Sequence, residues 1–191
     1  MAIWKITEHR DELSTFIGMD FFELEQKKEN LHWLASRALI NAVFQNQKIE
    51  LSKDSFNKPS LKVNDQTFHI SITHSFQFAA IIVSKNKTVA IDIEKLDERI
   101  QRVKHKFMRD DELEYLLPGN ESIMLVSIWS AKETLYKFYG KKELDFKKNL
   151  KIESFIPQIT FDIRGLIDKV QKQYHTIYVE IIDGYVLTYI L

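Results

Sequence analysis

The chain has 191 residues, 45% of them apolar, enough for a sizeable core in one domain or in two small halves. Its 27 basic and 27 acidic residues cancel, which disfavours a globally basic nucleic-acid binder. There is no cysteine, which excludes disulfides and thiolate metal sites and fits a cytoplasmic setting, and neither a ~20-residue apolar run nor a signal-peptide pattern at the start points to a membrane.

From the N-terminus, "WKIT" (Trp4 to Thr7) reads as a short strand. Thr7 is positioned to cap a helix over "EHRDELSTF". In "ENLHWLASRALINAVF" the apolar residues Leu31, Leu34, Ala35, Ala38, Leu39, Ala42 and Val43 recur at helical spacing, with Arg37 off the centre of the stripe. "KIELSKDSFNKPSLKV" is expected to be irregular, because Pro59 argues against a central strand. "FHISITH" and "FAAIIVS" predict two strands joined by a turn near Ser75. After a "KNK" turn, "TVAIDIEKLDERI" alternates: Val89, Ile91 and Ile93 on one side, Ala90, Asp92 and Glu94 on the other. Asp110 is expected to cap a helix over "DELEYLL", ended by Pro118 and Gly119. "ESIMLVSIWSAKETLYKFYG" is the strongest helix, closed by Gly140. The rest is strand: "ITFDI", "HTIYVEII" and "YVLTYIL", the last two joined at Asp183-Gly184, a hairpin signal. Each half reads as helices followed by strands, without a sequence repeat.

The chemistry concentrates in three places. Asp92 and Glu94 lie about 7 Å apart on one strand face. Their repulsion would be relieved by a hard cation such as Mg²⁺, which takes oxygen ligands. Taken alone, two such acids are more often simply solvated. Glu133 and Lys137 are four residues apart, on one helix face. They form either an ordinary helical ion pair or a third carboxylate with a phosphate-holding lysine beside it. "SITHSF" puts Thr73, His74 and Ser75 at a strand end, as donors to a phosphate or as structural hydrogen-bonding groups. Between Lys132 and Lys151 seven lysines face only Glu133, Glu143 and Asp145. That segment is either a solvated helix end or a landing surface for an acidic partner.

In order, these pieces stand as "KP" at Lys58, then "SITHS", "VAIDIE" and "WSAKETLYK". Together they resemble the motifs of the 4′-phosphopantetheinyl transferase superfamily, in its longer, single-chain type. The resemblance implies an α+β fold of two similar α/β halves packed with pseudo-two-fold symmetry, with coenzyme A in the cleft between them. It divides the chain at 1–88, the nucleotide side, and 89–191, the metal and catalytic-helix side, within one compact unit. It also implies the reaction: transfer of the 4′-phosphopantetheine arm of coenzyme A to a serine of an apo acyl or peptidyl carrier protein, releasing 3′,5′-ADP. The enzyme type is a Mg²⁺-dependent holo-acyl-carrier-protein synthase. A monomer in the cytoplasm is expected, with no nucleic-acid or membrane partner.

By the same resemblance Asp92, Glu94 and Glu133 hold Mg²⁺, and Glu133 also draws the proton from the serine. Lys137 contacts the pyrophosphate, with Lys132 a weaker candidate for that role. Thr73 and His74 match contacts to the nucleotide 3′-phosphate, and Lys58 and Arg37 match further coenzyme A contacts. Ala90 stands where the family usually has glycine, and the basic cluster before the N-terminal helix is reduced to Lys27 and Lys28. Two other readings are compatible with these residues: a degenerate module that binds coenzyme A or a carrier without catalysis, and a Mg²⁺-dependent pyrophosphate hydrolase.

Overall fold

A computed structural model describes residues 1–17 and 30–191. Lys27 and Lys28 lie outside the described residues. Contacts divide the chain into two units, Met1–Val89 and Ala90–Leu191. Each is built on a five-stranded antiparallel sheet, so the fold is α+β with two similar halves.

The first unit runs β1 (Ala2–Lys5), α1 (Arg10–Phe16), α2 (Leu31–Val43), then β2 (Ile49–Lys53), β3 (Pro59–Val63), β4 (Gln66–Ser75) and β5 (Phe78–Ser84). Its strand order is β1-β5-β4-β3-β2. The second runs β6 (Ala90–Lys95), α3 (Ile100–Val103), a 3₁₀ turn, α4 (Asp110–Leu113) and α5 (Glu121–Tyr139). It then continues β7 (Leu150–Ile152), β8 (Thr160–Asp168), β9 (Lys172–Ile182) and β10 (Tyr185–Ile190), ordered β6-β10-β9-β8-β7. The two patterns are the same. In each unit the first strand pairs with the last, the others follow as a meander, and the helices fall between the first and second strands. The repetition absent from the sequence is present in the topology.

The local chemistry explains most boundaries. Asn30 caps α2, its side chain accepting from the Trp33 N–H at 2.8 Å. Gly140 ends α5 in the left-handed region at φ 69°, where glycine carries no steric penalty. Asp183 and Gly184 both have positive φ, as a two-residue hairpin turn between β9 and β10 requires. Three expectations are corrected. Arg109, not Asp110, caps α4, which ends at Leu113, before Pro118 and Gly119 are reached. The cap of α1 is His9, not Thr7: Glu12 Oε2 accepts the His9 N–H at 2.8 Å, while the Thr7 N–H goes to Glu8. The stretch around Pro59 is not irregular either. β3 lies inside the sheet, paired to both β2 and β4. Pro59 is tolerated because it opens the strand, opposite Lys53 at the far end of β2.

In the second unit α5 lies on β6 and β10. Leu125, Ile128, Ala131 and Leu135 of the helix join Ile163, Ile177, Val179 and Val186 of the sheet in one core. Gly165 on β8 permits this approach, since a Cβ there would stand 2.9 Å from a Leu135 methyl and 2.7 Å from one of Ile177. Among the described residues no helix is long and apolar enough to cross a membrane.

Candidate functional site

The alternation of β6 is present, but both of its faces are covered. Ala90, Ile91, Asp92 and Ile93 are all buried. The acidic face is not open to solvent as a free strand would be; α5 covers it, and the helix supplies the partners of both acids. Trp129 Nε1 donates to Glu94 Oε1 at 3.0 Å. Ser130 Oγ donates to Asp92 Oδ2 at 2.8 Å. Lys137 Nζ donates to Asp92 Oδ1 at 2.7 Å and to the Ile91 carbonyl at 3.1 Å. The i, i+4 pairing of Glu133 with Lys137 therefore gives way in part to a pairing of Lys137 with Asp92, across from helix to strand.

Asp92 is only 4% exposed, and a buried carboxylate needs such partners. They extend inward as a chain of hydroxyls. Ser130 spends its one proton on Asp92, so Thr188 Oγ1, at 2.9 Å, donates to Ser130. Thr134 Oγ1 stands 2.6 Å from Thr188 Oγ1 and 3.3 Å from the Thr188 carbonyl. Ser130, Thr134 and Thr188 are fully buried. Thr188 stands directly opposite Asp92 in the β6–β10 register.

Glu133 completes the group. Its burial, together with the negative charges of Asp92 and Glu94, outweighs Lys137 and pushes its carboxyl up to about 7. At neutral pH it is poised between its two protonation states, as a general base requires. Among the described residues no three His, Cys, Asp or Glu side chains are gathered as a ready cage for a metal ion. The donor set nevertheless suits Mg²⁺. This ion is usually held by one or two carboxylates together with waters and substrate phosphates, not by an all-protein cage. Burial is the largest cause of the Glu133 rise, and Asp92 and Glu94 add to it against the opposing pull of Lys137.

Lys132, expected as a weaker pyrophosphate contact, is corrected. It is fully buried. Its ammonium donates to Glu112 Oε2 at 2.6 Å, to the Phe107 carbonyl at 2.7 Å and to the Phe146 carbonyl at 3.1 Å. All three donors are used, so it ties α5 to the flanking loops and offers nothing to a phosphate. Ala90, where the family usually has glycine, is likewise fully buried.

The remaining candidates lie in the first unit. Arg37 on α2 stacks its guanidinium over the Trp33 ring, 4.3 Å from the centroid, and donates to Ser36 Oγ at 2.9 Å. Lys58 is half-buried ahead of β3, and desolvation lowers its pKa against the opposing pull of Asp54. Thr73 and His74, adjacent on β4, leave it on opposite faces: Thr73 is buried and His74 exposed.

Sequence reasoning missed four residues. Ser130 sits inside a motif but shows no role in the spacing. Thr134 is hidden in the same helix, and Thr188 shows only as a lone polar residue in the apolar run "YVLTYIL". His32 lies next to Trp33 in a helix read for its apolar stripe.

A family model described as the 4′-phosphopantetheinyl transferase superfamily matches residues 88–190. No curated protein matches the chain. The matched range takes in Asp92, Glu94, Ser130, Glu133, Lys137 and Thr188. Arg37, Lys58, Thr73 and His74 lie before it.

Proposed function

The chain belongs to the 4′-phosphopantetheinyl transferase superfamily, and on that premise we propose that it moves the phosphopantetheine arm of coenzyme A onto a serine of an apo acyl or peptidyl carrier protein. One observation carries this reading. Two acids of β6 lie under a helix that presents Lys137 to one of them and a glutamate pushed up to about 7 beside them. Phosphoryl transfer asks a protein mainly for positioning and charge neutralisation, and this corner offers a base and a cation.

In the reaction, the serine Oγ bonds to the β-phosphorus of coenzyme A. The bond from that phosphorus to the bridging oxygen breaks, and 3′,5′-ADP leaves with the bond's electrons. The serine proton passes to Glu133. Lys137 neutralises charge on the pyrophosphate. Asp92, Glu94 and Glu133 would hold Mg²⁺, which supplies Lewis-acid neutralisation of the pyrophosphate oxygens when bound. The hydroxyl chain through Ser130 keeps the Asp92 carboxylate in one orientation. Arg37, Lys58, Thr73 and His74 are proposed as contacts to the nucleotide of coenzyme A, the last two to its 3′-phosphate. We assign the protein to the cytoplasm as a monomer.

The test incubates the protein with coenzyme A and Mg²⁺, with and without an apo carrier. Transfer adds one phosphopantetheine arm to the carrier and frees 3′,5′-ADP only when carrier is present. Release of 3′,5′-ADP without carrier would identify a hydrolase instead. Binding of coenzyme A with neither product would identify a binding module.

A further inference from the structure

Two histidines far apart in the sequence meet in the first unit. The rings of His32 and His74 are stacked, with centroids 4.5 Å apart and planes within 3°. His32 is the second residue of α2. Its Nε2 lies 2.6 Å from the Phe76 carbonyl oxygen. The carbonyl only accepts, so the ring N–H donates, and this fixes the His32 tautomer. Phe76 opens the β4–β5 turn at φ +46°, an unusual conformation for an aromatic residue. One side chain on α2 thus holds both the turn and the ring just before it.

The consequence falls on His74, which is exposed. The χ2 torsion of a histidine is broad, and stacking on His32 narrows the planes that the ring takes. A donor already held in its bound orientation discriminates better than one that must be ordered on binding. The same helix carries Arg37, so His32 also joins the elements that bear Arg37 and His74.

We propose that His32 is a positioning residue: by stacking on His74 it sets the plane in which that ring meets a phosphate, and so favours nucleotides that carry a 3′-phosphate. The proposal rests on the reading of His74 as a 3′-phosphate contact. Acting through His74, His32 should matter only when that phosphate is present.

The experiment measures binding of coenzyme A and of 3′-dephospho-coenzyme A by titration calorimetry, with no carrier and no turnover. Wild type should bind coenzyme A more tightly. His32→Gln keeps a donor for the Phe76 carbonyl but removes the ring, and should weaken coenzyme A binding roughly three- to tenfold, the cost of ordering one side chain. Its binding of the dephospho compound should stay unchanged. His32→Phe keeps a flat ring and should retain the wild-type preference. In a His74→Ala background, His32→Gln should have no further effect. The proposal is overturned if His32→Gln keeps the preference, if it weakens both ligands alike, if His32→Phe loses the preference as fully, or if the effect persists without His74. A wild type that shows no preference, or a His74→Ala variant that keeps it, would instead overturn the assignment of His74, and His32 with it.

Discussion

At the scale of single residues the site is a balance of charge in a poorly solvated corner. Asp92 has Ser130 and Lys137 as partners, and Thr188 holds Ser130 from behind. Thr188→Val keeps the shape and removes the hydroxyl, leaving a buried Ser130 oxygen without its donor. Groups that orient ligating carboxylates are worth about 10- to 100-fold in affinity or activity. Thr188→Val should therefore lower kcat by roughly that range and leave the KM for coenzyme A nearly constant; steady-state kinetics decide this. Glu133 gives a pH test. Its carboxyl is raised from the ordinary 4.5 to about 7, so the folded state holds the proton more tightly than the unfolded state does. The stability this contributes is fully present below about 4.5 and is lost as pH rises through about 7. Glu133→Gln carries no such loss. In metal-free buffer it should melt a few degrees above wild type at pH 8.5 and level with it at pH 5, while transfer is abolished. Equal melting temperatures at both pH values would show that Glu133 is not held in a charged, desolvated corner.

At the scale of elements, α5 organises the second unit, and the buried Lys132–Glu112 pair fixes its surroundings. Glu112 also accepts the Arg109 and Ile152 N–H groups at 2.8 Å each, so the pair ties α4, α5 and β7 together. Removing one partner of a buried pair costs about 3–5 kcal/mol because the other charge is left unpaired. Lys132→Met should lose that much in chemical denaturation. Adding Glu112→Leu should recover only part, since two backbone donors then lose their acceptor. A Lys132→Met protein as stable as wild type would contradict the geometry. This pair also shows where sequence reading stops. Asp92, Glu94, Glu133 and Lys137 were visible because strand and helix periods place them on shared faces. Nothing in the spacing of Glu112 and Lys132 distinguishes an inward lysine from an outward one; only the tertiary placement of Glu112 and of the Phe107 and Phe146 carbonyls around its ammonium decides it. Pro59 misled for a related reason: its effect depends on its place in a strand, which the register sets.

At the scale of the whole molecule, two topologically equivalent units arise from a chain without a visible repeat, because sheet order depends on where strands and helices fall and not on side-chain identity. Helix α2 was legible from its apolar spacing, the end of α5 from Gly140 and the C-terminal hairpin from Asp183-Gly184. The strands β2, β3 and β7 were not, because each is short and gains its place from its neighbours. Lys141 and Lys142 follow the Gly140 cap and are exposed, while Lys147 and Lys148 anchor their backbone on Asp145. If this segment receives an acidic carrier, Lys141→Glu with Lys142→Glu should raise the carrier KM and flatten its salt dependence, with coenzyme A binding unchanged. An unchanged carrier KM at low salt removes the segment from docking. The central claim is that β6 and α5 catalyse transfer of the phosphopantetheine arm, and the mass of an apo carrier tests it most directly. After incubation with coenzyme A and Mg²⁺, a carrier from a panel of fatty-acid, polyketide and peptide-synthesis types should gain one arm with wild type and none with Asp92→Asn. A panel that gains nothing from the wild-type protein, or an Asp92→Asn variant that transfers at the wild-type rate, would contradict it.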